Sequence, residues 1–558
     1  MNKTMRVHID GLLQAALDDA QHSGVLPPGE IDAPAVERPQ NPDHGDFASS
    51  LPLKLARPMR MNPMEIAEKL VPLVPIEGAL ERVWAAPPGF INFSLSPHWL
   101  AQQVNRILDA GDRFGSVDAG KGERVQVEFV SVNPTGPLHI GHARGAVIGS
   151  ALANVLEATG YDVEREYYIN DAGNQMDRFN ESLLARYRQL HGLDADVSPD
   201  GYLGEYMVDL AREIREEVGD RFLSMSTDRA MEEVGEIGLI KMVEAIQVDL
   251  ETLGVRFDVW FSEQSLYSDG QYDEAMQLLE QNSHIVRREG ASWFASSALG
   301  EDKDAVLVRS TGVPTYFATD VAYHYNKFVQ RGFDHVIDIW GADHQGHVSR
   351  MKAVVAALGI PPEKLTLMIS QMVSLKRRDE LVKVSKRAGE IVTLRELVEE
   401  VGADACRYFF LSRSPESQME FDLDLAKKES SENPVYYVQY AHARITSILG
   451  LARERGIDYS DGDVALLTHD AELALIRKMV SLPELIEMMA ANLEPHHLPH
   501  YSLELATAFH WFYQQCRVVS SEPADAALTK ARLKLVDAAR TVLARCLGLM
   551  QMAAPDQM

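Results

Sequence analysis

Apolar positions at Val125, Val127 and Phe129 alternate with Gln126 and Glu128, which predicts a β-strand. The strand enters a turn rich in proline and glycine (Pro134, Gly136, Pro137, Gly141), and a helix rich in small residues follows. Further strand-like runs cover 305–309, 335–340 and 365–373, with helical spacing between them. That alternation predicts a parallel sheet with helices on its faces. Residues 175–255 are mostly helical in pattern, an insertion within this unit. From Ser430 onward no strand pattern appears, and helical spacing covers 435–452, 470–492, 499–520 and 528–552. This predicts an all-α bundle. At the other end an amphipathic helix precedes a loop over 38–45 and a largely helical stretch to Leu70. A short apolar strand ends at Phe93, and a glycine-containing linker covers 111–122. The predicted organisation is therefore an α+β unit over 1–110, an α/β unit over 120–425 and a bundle over 430–558.

Composition fits packed domains: 46% of the 558 residues are hydrophobic and 24% charged. No run approaches the ~18 consecutive apolar residues of a membrane span. The N-terminal helix carries Asp10, Asp18 and Asp19, unlike a signal or transit peptide. Cys406, Cys516 and Cys546 lie far apart with no CxxC pair, so reduced thiols in the cytoplasm are expected, with no zinc site or disulfide framework. The net charge of −28 argues against a general nucleic-acid coat protein. It leaves room for a specific nucleic-acid enzyme with confined basic patches. One such patch comprises Lys376, Arg377, Arg378, Lys383, Lys386 and Arg387.

The turn delivers His139-Ile140-Gly141-His142 to a helix N-terminus. Free N–H groups and the positive dipole end suit a triphosphate there. Gly141 admits close approach, and imidazoles at i and i+3 share a face from which they can donate to oxyanions. Two histidines at this spacing could also ligate a metal, but further ligands of the usual type are not nearby. Burial of both rings as ordinary core is the bland alternative. A second element, Lys383-Val-Ser-Lys-Arg-Ala-Gly389, is a Lys-rich loop that can close over phosphates. Lys386 would supply point charge to a leaving pyrophosphate, and Ser385 a hydroxyl donor. Standing alone, it is equally an ordinary surface loop. Together the two elements point to a nucleotide-activating enzyme.

His139–His142 matches the HIGH signature of the class I aminoacyl-tRNA synthetases in full. Lys383–Arg387 resembles their KMSKS signature, departing at Val384 and Arg387 and keeping the second lysine as Lys386. Five further segments resemble the arginine-specific branch: Ser131–His139, Tyr168–Gln175, Tyr316–Asp320, Trp340–His344 and Tyr436–Arg444. His44-Gly-Asp-Phe-Ala48 and Gly89–Phe93 are similar to the add-on domain of that branch. The chain thus resembles an arginyl-tRNA synthetase of bacterial type.

This resemblance implies a split Rossmann-like catalytic domain, and a reaction joining L-arginine to tRNA(Arg) through an arginyl-adenylate. It implies ATP contacts by Val132, Asn133, Pro134, Thr135, Gly136, Pro137 and Leu138. His139, Ile140, Gly141 and His142 continue that set, with Lys383, Ser385 and Lys386 from the loop. His139, His142 and Lys386 are the implied catalytic residues. Implied arginine contacts are Asn133, Glu263, Tyr316, Asp320 and Asp343. Residues Tyr436, Tyr440, Arg444 and Phe47 are the implied tRNA contacts. Mg²⁺ would arrive with ATP, with no structural metal, and a cytoplasmic monomer is expected. The resemblance further implies that bound tRNA is needed for adenylation. Chemistry supports the arginine reading: a guanidinium is a planar, permanent cation whose natural partner is a carboxylate. Tyr316 and Asp320, four apart, share a face if helical. Two rival readings share parts of the pattern. A small-molecule nucleotidyltransferase uses the same strand–HxGH–helix element but would not need the bundle. A non-catalytic tRNA-binding relative would not need His139, His142 and Lys386.

Overall fold

The computed structural model describes residues 4–28, 35–76, 78–378, 380–381 and 392–558. At its centre lie five parallel strands: Arg124–Glu128, Asp162–Ile169, Val259–Ser262, His335–Gly341 and Leu365–Ser370. In chain order they stand 5-4-1-2-3 across the sheet. The chain starts in the middle, builds outward on one side, then returns to build the other. The reversal lies between Arg124–Glu128 and His335–Gly341, and ligands of doubly wound sheets bind at the carboxyl ends beside such a reversal.

The first strand departs from its sequence pattern in one respect. Val125, Gln126, Val127 and Glu128 are all buried. Alternation predicts one wet face, but a central parallel strand is covered on both. Gln126 and Glu128 are thus buried polar residues. The helix Ile140–Ala158 lies across this strand, and its small residues permit a close approach. A Cβ on Gly149 would stand 2.2 Å from the Phe129 ring.

Between the second and third strands the chain inserts helices Asn174–Leu190, Glu205–Val218 and Thr227–Thr252 around a separate core that includes Phe179, Leu183, Tyr187 and Phe222. The predicted strand at 305–309 forms as Ala305–Val308, but outside the parallel sheet. It pairs antiparallel with Ala291–Phe294, which pairs with Ile285–Arg288. A two-residue hairpin at Glu289-Gly290, both with positive φ (50° and 78°), joins the latter two strands, and 305–308 adds to the edge this hairpin provides.

The N-terminal unit carries a four-stranded antiparallel sheet in the order Val36–Glu37, Phe47–Ser49, Phe90–Leu95, Leu80–Ala86. The C-terminal bundle consists of Pro434–Glu454, Asp470–Val480, Leu482–Asn492, His497–Gln515 and Ala526–Leu549. The pattern over 470–492 read as one helix; two form. Pro483, in the first turn of the second, has no N–H to continue the first. Apolar residues of the N-terminal unit, the sheet and the bundle merge into one continuous core. No described helix is long and apolar enough to cross a membrane.

Candidate active site

A cleft of about 1670 Å³ opens at the carboxyl ends of the first and fourth strands. Its floor starts with a strained turn. Val130 and Ser131 both adopt positive φ (70° and 42°), which a β-branched residue rarely does. The turn is held by Tyr168, whose N–H donates to Ser131 Oγ (3.1 Å), and by Tyr167, whose hydroxyl donates to the Val132 carbonyl (2.9 Å). Val132, Asn133, Thr135, Gly136 and Pro137 then line the cleft. Pro134, Leu138 and Ile140 do not: they are buried, and they shape the turn from behind.

His139 caps the helix Ile140–Ala158. Its Nδ1 accepts from the Gly141 N–H (3.1 Å), while Nδ1 of His142 accepts from the His139 N–H (3.3 Å). The two rings stack at 3.6 Å. A ring nitrogen that accepts carries no proton, so each neutral imidazole is held with its N–H at Nε2. Both rings line the cleft. They are half-buried rather than core side chains, and among the described residues no group of three or more His, Cys, Asp or Glu could hold a metal ion.

Lys383, Ser385 and Lys386 lie outside the described residues. The segment that follows them is placed against the histidine turn. Leu394 N–H donates to the Leu138 carbonyl (2.8 Å), His139 pairs with Thr393, and Thr393 and Glu396 line the cleft. On the other side, Arg144 is fully buried and donates to the carbonyls of Gln371 (3.0 Å), Ser414 and Ser417 (both 2.7 Å). Burial pulls its guanidinium down to about 10. The basic patch expected nearby is partly neutralised at its start: Arg377 pairs with Glu400 (2.7 Å), and Lys376 lies 3.8 Å from Asp422.

Beside the cleft is a pocket of carboxylates. The helix Tyr316–Tyr325 begins at a Thr315 cap and carries Tyr316 and Asp320 one turn apart. Tyr316 is exposed and lines the cleft, as does Asp343; Glu263 is buried and Asp320 half-buried, and neither is part of the lining. Burial pushes the Asp320 carboxyl up to about 6, with Glu128 and Asp338 adding to the effect. Glu263 is pushed up to about 7 by burial, then by Asp171 and Asp320. Its Oε2 is buried without a hydrogen-bond partner. Carboxylates crowded this way, one with an orphan oxygen, are suited to a cation that forms several hydrogen bonds.

The bundle presents an aromatic surface. Tyr436 stacks with Tyr440 (6.0 Å), Tyr440 with His510 (6.1 Å), and the Arg444 guanidinium lies 4.6 Å from the Tyr513 ring. His442 and Gln439, one face away, turn inward: His442 Nδ1 meets the Pro555 carbonyl (2.9 Å), and Gln439 reaches Asp404 (2.6 Å). Phe47 is corrected: it is fully buried, with the Arg38 guanidinium 4.4 Å above its ring, and offers nothing to tRNA. Its motif builds an interface instead. Gly45 has φ 85°, and a Cβ there would meet the Phe93 carbonyl oxygen at 2.5 Å. Asp46 accepts from Leu95 N–H (2.7 Å) and from Arg477 of the bundle (2.8 Å).

Several residues of the site escaped the linear reading. Tyr206, on an insertion helix, donates to the Thr135 carbonyl (2.8 Å) and walls the cleft. Tyr168 and Asp171, which flank Glu263, sit inside a recognised segment, but nothing in their spacing reveals the contact. His510 and Tyr513 join the aromatic surface from a different helix of the bundle.

A doubly wound sheet, a paired-histidine helix cap and a cleft at the switch point define the catalytic domain of a class I aminoacyl-tRNA synthetase. The family model described as "tRNA synthetases class I (R), catalytic domain" matches residues 103–409, the arginyl-tRNA synthetase N-terminal domain 8–95, and the DALR anticodon-binding domain 438–558. Among curated proteins, the arginine–tRNA ligase of Dehalococcoides mccartyi is 58% identical over 98% of both chains. Among solved structures, a putative arginyl-tRNA synthetase from Campylobacter jejuni is 35% identical at TM-score 0.76, covering 83% of this chain and all of that one. The Thermus thermophilus arginyl-tRNA synthetase shares the fold at TM-score 0.78 over both full chains, with 23% identity. The chain belongs to the arginyl-tRNA synthetases, the arginine–tRNA ligases of class I.

Proposed function

We propose how this chain divides the work of its family's reaction, the ATP-dependent ligation of L-arginine to its tRNA through an arginyl-adenylate. ATP enters the cleft with Mg²⁺ as part of the substrate. Its phosphates face the N-terminus of Ile140–Ala158. The arginine carboxylate attacks the α-phosphorus in line and pyrophosphate leaves. Nε2–H groups of His139 and His142 donate to the phosphate oxygens as charge develops there. Lys386 neutralises the leaving pyrophosphate. Donors already fixed in direction lower the barrier because they need no reorganisation. In the second step a hydroxyl of the tRNA's terminal ribose attacks the activated carbonyl and AMP departs.

The arginine side chain occupies the pocket of Asp320 and Glu263. Tyr316 packs beside the stem, and Asn133 and Asp343 face the polar end of the amino acid. The observation that carries this assignment is the raised pair Asp320–Glu263 with its orphan oxygen beside the cleft. A guanidinium would satisfy both carboxylates; a neutral side chain would leave them desolvated and unpaired. Tyr436, Tyr440 and Arg444 form a stacking surface for single-stranded bases of tRNA. All these residues lie in one chain, and we assign the activity to a monomer. We place it in the cytoplasm, where three buried thiols stay reduced.

Citrulline, which replaces the guanidinium by a neutral urea of the same shape, tests the pocket directly. It should be used at least a hundredfold less well than arginine, in line with the roughly 3–5 kcal/mol cost of a buried charge left unpaired. Equal use of the two would remove the carboxylates from the pocket.

A further inference from the structure

Beneath the carboxylate pocket lies a second set of charges that the reaction above does not use. Glu166, Glu128 and Asp338 stand on three adjacent strands as register partners, so their side chains form a row on one face of the sheet. All three are buried. Over the row lies Lys327, which is 0% exposed. Its Nζ donates to Glu128 Oε2 (2.6 Å) and Asp338 Oδ1 (2.7 Å), and it sits 4.1 Å from the Tyr323 ring centroid. Arg331 pairs with Glu166 (2.6 Å), and the Tyr323 hydroxyl donates to the same carboxylate. Lys327 lies within a π-helical turn, Asn326–Gln330, that extends the helix carrying Asp320, and Arg331 follows that turn. The row reaches the pocket through His324: Nε2 meets Asp338 Oδ2 (3.1 Å), and Nδ1 meets the backbone carbonyl of Asp320 (2.8 Å).

A buried lysine with two carboxylates is weak evidence for stability, because desolvating three charges costs about as much as their attraction returns. Its position suggests another use. Three acids under two fixed cations leave the floor of the pocket negative, which favours a bound cation. Glu128 and Asp338, the two carboxylates that Lys327 pairs, both push the Asp320 carboxyl up, so losing the cation would strengthen that push. We infer that Lys327 is a positioning residue for substrate recognition: it offsets the buried carboxylate row so that the pocket above stays ionised and takes a guanidinium at neutral pH. The inference rests on reading Asp320 and Glu263 as the guanidinium subsite. The groups that face Asp320 are His324 on its own helix, Glu128 and Asp338 on the sheet, His344 after the fourth strand, and Glu263, Tyr168 and Tyr267 from neighbouring elements. Burial opposes charge on Lys327, but Asp338, Glu128 and Glu166 hold its ammonium above the ordinary value, so it stays a cation throughout.

The test measures kcat/KM for arginine against pH in the full-length enzyme with tRNA, with ATP kinetics alongside. Removing the cation in Lys327→Met should move the acid limb of the arginine profile to higher pH by about one unit, raising KM for arginine about fivefold at the wild-type midpoint and about tenfold well below it. At saturating arginine, kcat and KM for ATP should stay within about twofold. Asp338→Asn removes an anion from the same hub and should move the limb to lower pH. Lys327→Met combined with Asp338→Asn should return it near the wild-type position, and Lys327→Arg should leave it there. A merely structural hub would shift neither limb, or both variants in one direction; either result overturns the inference. If Lys327→Met does not fold, the shift to lower pH in Asp338→Asn and its reversal in the double variant still decide. Asp320→Asn separates the two levels. Unchanged arginine KM in that variant would sink the pocket reading itself. A raised KM there, with no shift from either hub substitution, would sink only the role of Lys327.

Discussion

At the scale of single residues, the site is built from groups whose protons are directed by their neighbours. His139 and His142 each accept a backbone N–H of their own turn at Nδ1, which fixes the proton of the neutral ring at Nε2. Asp320 and Glu263 hold their protons more tightly than ordinary carboxyls, near 6 and 7. A guanidinium favours the ionised forms, so arginine affinity is full above those values and falls as pH drops through them. By linkage, arginine binding near pH 6.5 should release protons. Calorimetry in buffers of different ionisation enthalpy would reveal that release, and a buffer-independent heat would contradict it. Asp320→Asn should weaken arginine use by about 2–5 kcal/mol, as expected for breaking a buried charge pair. Arginine kinetics like the wild type's would exclude the residue from the pocket. For Lys386→Ala we expect a lower adenylation rate with arginine binding nearly intact, measured by single-turnover kinetics. Lost affinity at normal turnover would refute its role at the leaving group.

At the scale of elements, the helix Ile140–Ala158 is the hinge-pin of the site. Its first turn carries the histidines, and Arg144, one turn on, clamps the carbonyls of Gln371, Ser414 and Ser417. Those carbonyls border the segment that leads towards residues 383–386. Arg144→Met keeps the volume but leaves the carbonyls without donors. We expect a loss of about 2–4 kcal/mol in stability, read by chemical or thermal unfolding, together with slower adenylation. A variant of unaltered stability would show that the clamp is dispensable. This element also shows what the chain made legible. The strand, the turn and the helix could be read because their periodicities differ sharply and Pro134, Gly136 and Pro137 mark the boundary. The meaning of Glu128 could not. Its polar place in an alternating strand looked like a solvent face, and only the sheet order brings Asp338 and Lys327 to it. The side sheet escapes the sequence for a similar reason: a strand at 305–308 carries no sign of which partner it will choose, and it pairs with the nearby strand 291–294 instead of the central sheet. The two carboxylates of the pocket come from segments more than fifty residues apart, and only the resemblance linked them.

At the scale of the whole molecule, a chain with net charge −28 must bind a polyanion. We propose that on the bundle it does so with cations placed against rings. On the bundle Arg444 sits among Tyr440, Tyr513 and, through Tyr440, His510. Stacking contributes roughly 1–3 kcal/mol per base and little salt dependence, whereas phosphate contacts are strongly salt-dependent. Tyr440→Ala should therefore raise KM for tRNA by about tenfold or more while leaving the salt slope nearly unchanged. An unchanged KM would move the tRNA surface elsewhere. The N-terminal unit is fixed to the same bundle through Asp46–Arg477 and Arg38–Glu484 (2.7 Å). Its motif at 44–47 therefore has an architectural task, and the two ends of the chain form one continuous body around the catalytic sheet.

The central claim is that imidazole donors and a guanidinium-fitted carboxylate pocket serve one cleft. Exchange of labelled pyrophosphate into ATP, measured with tRNA present across the twenty amino acids, tests it most directly. Exchange with arginine alone is the predicted result. Exchange with none of them, or equal exchange with a neutral amino acid, would contradict the claim.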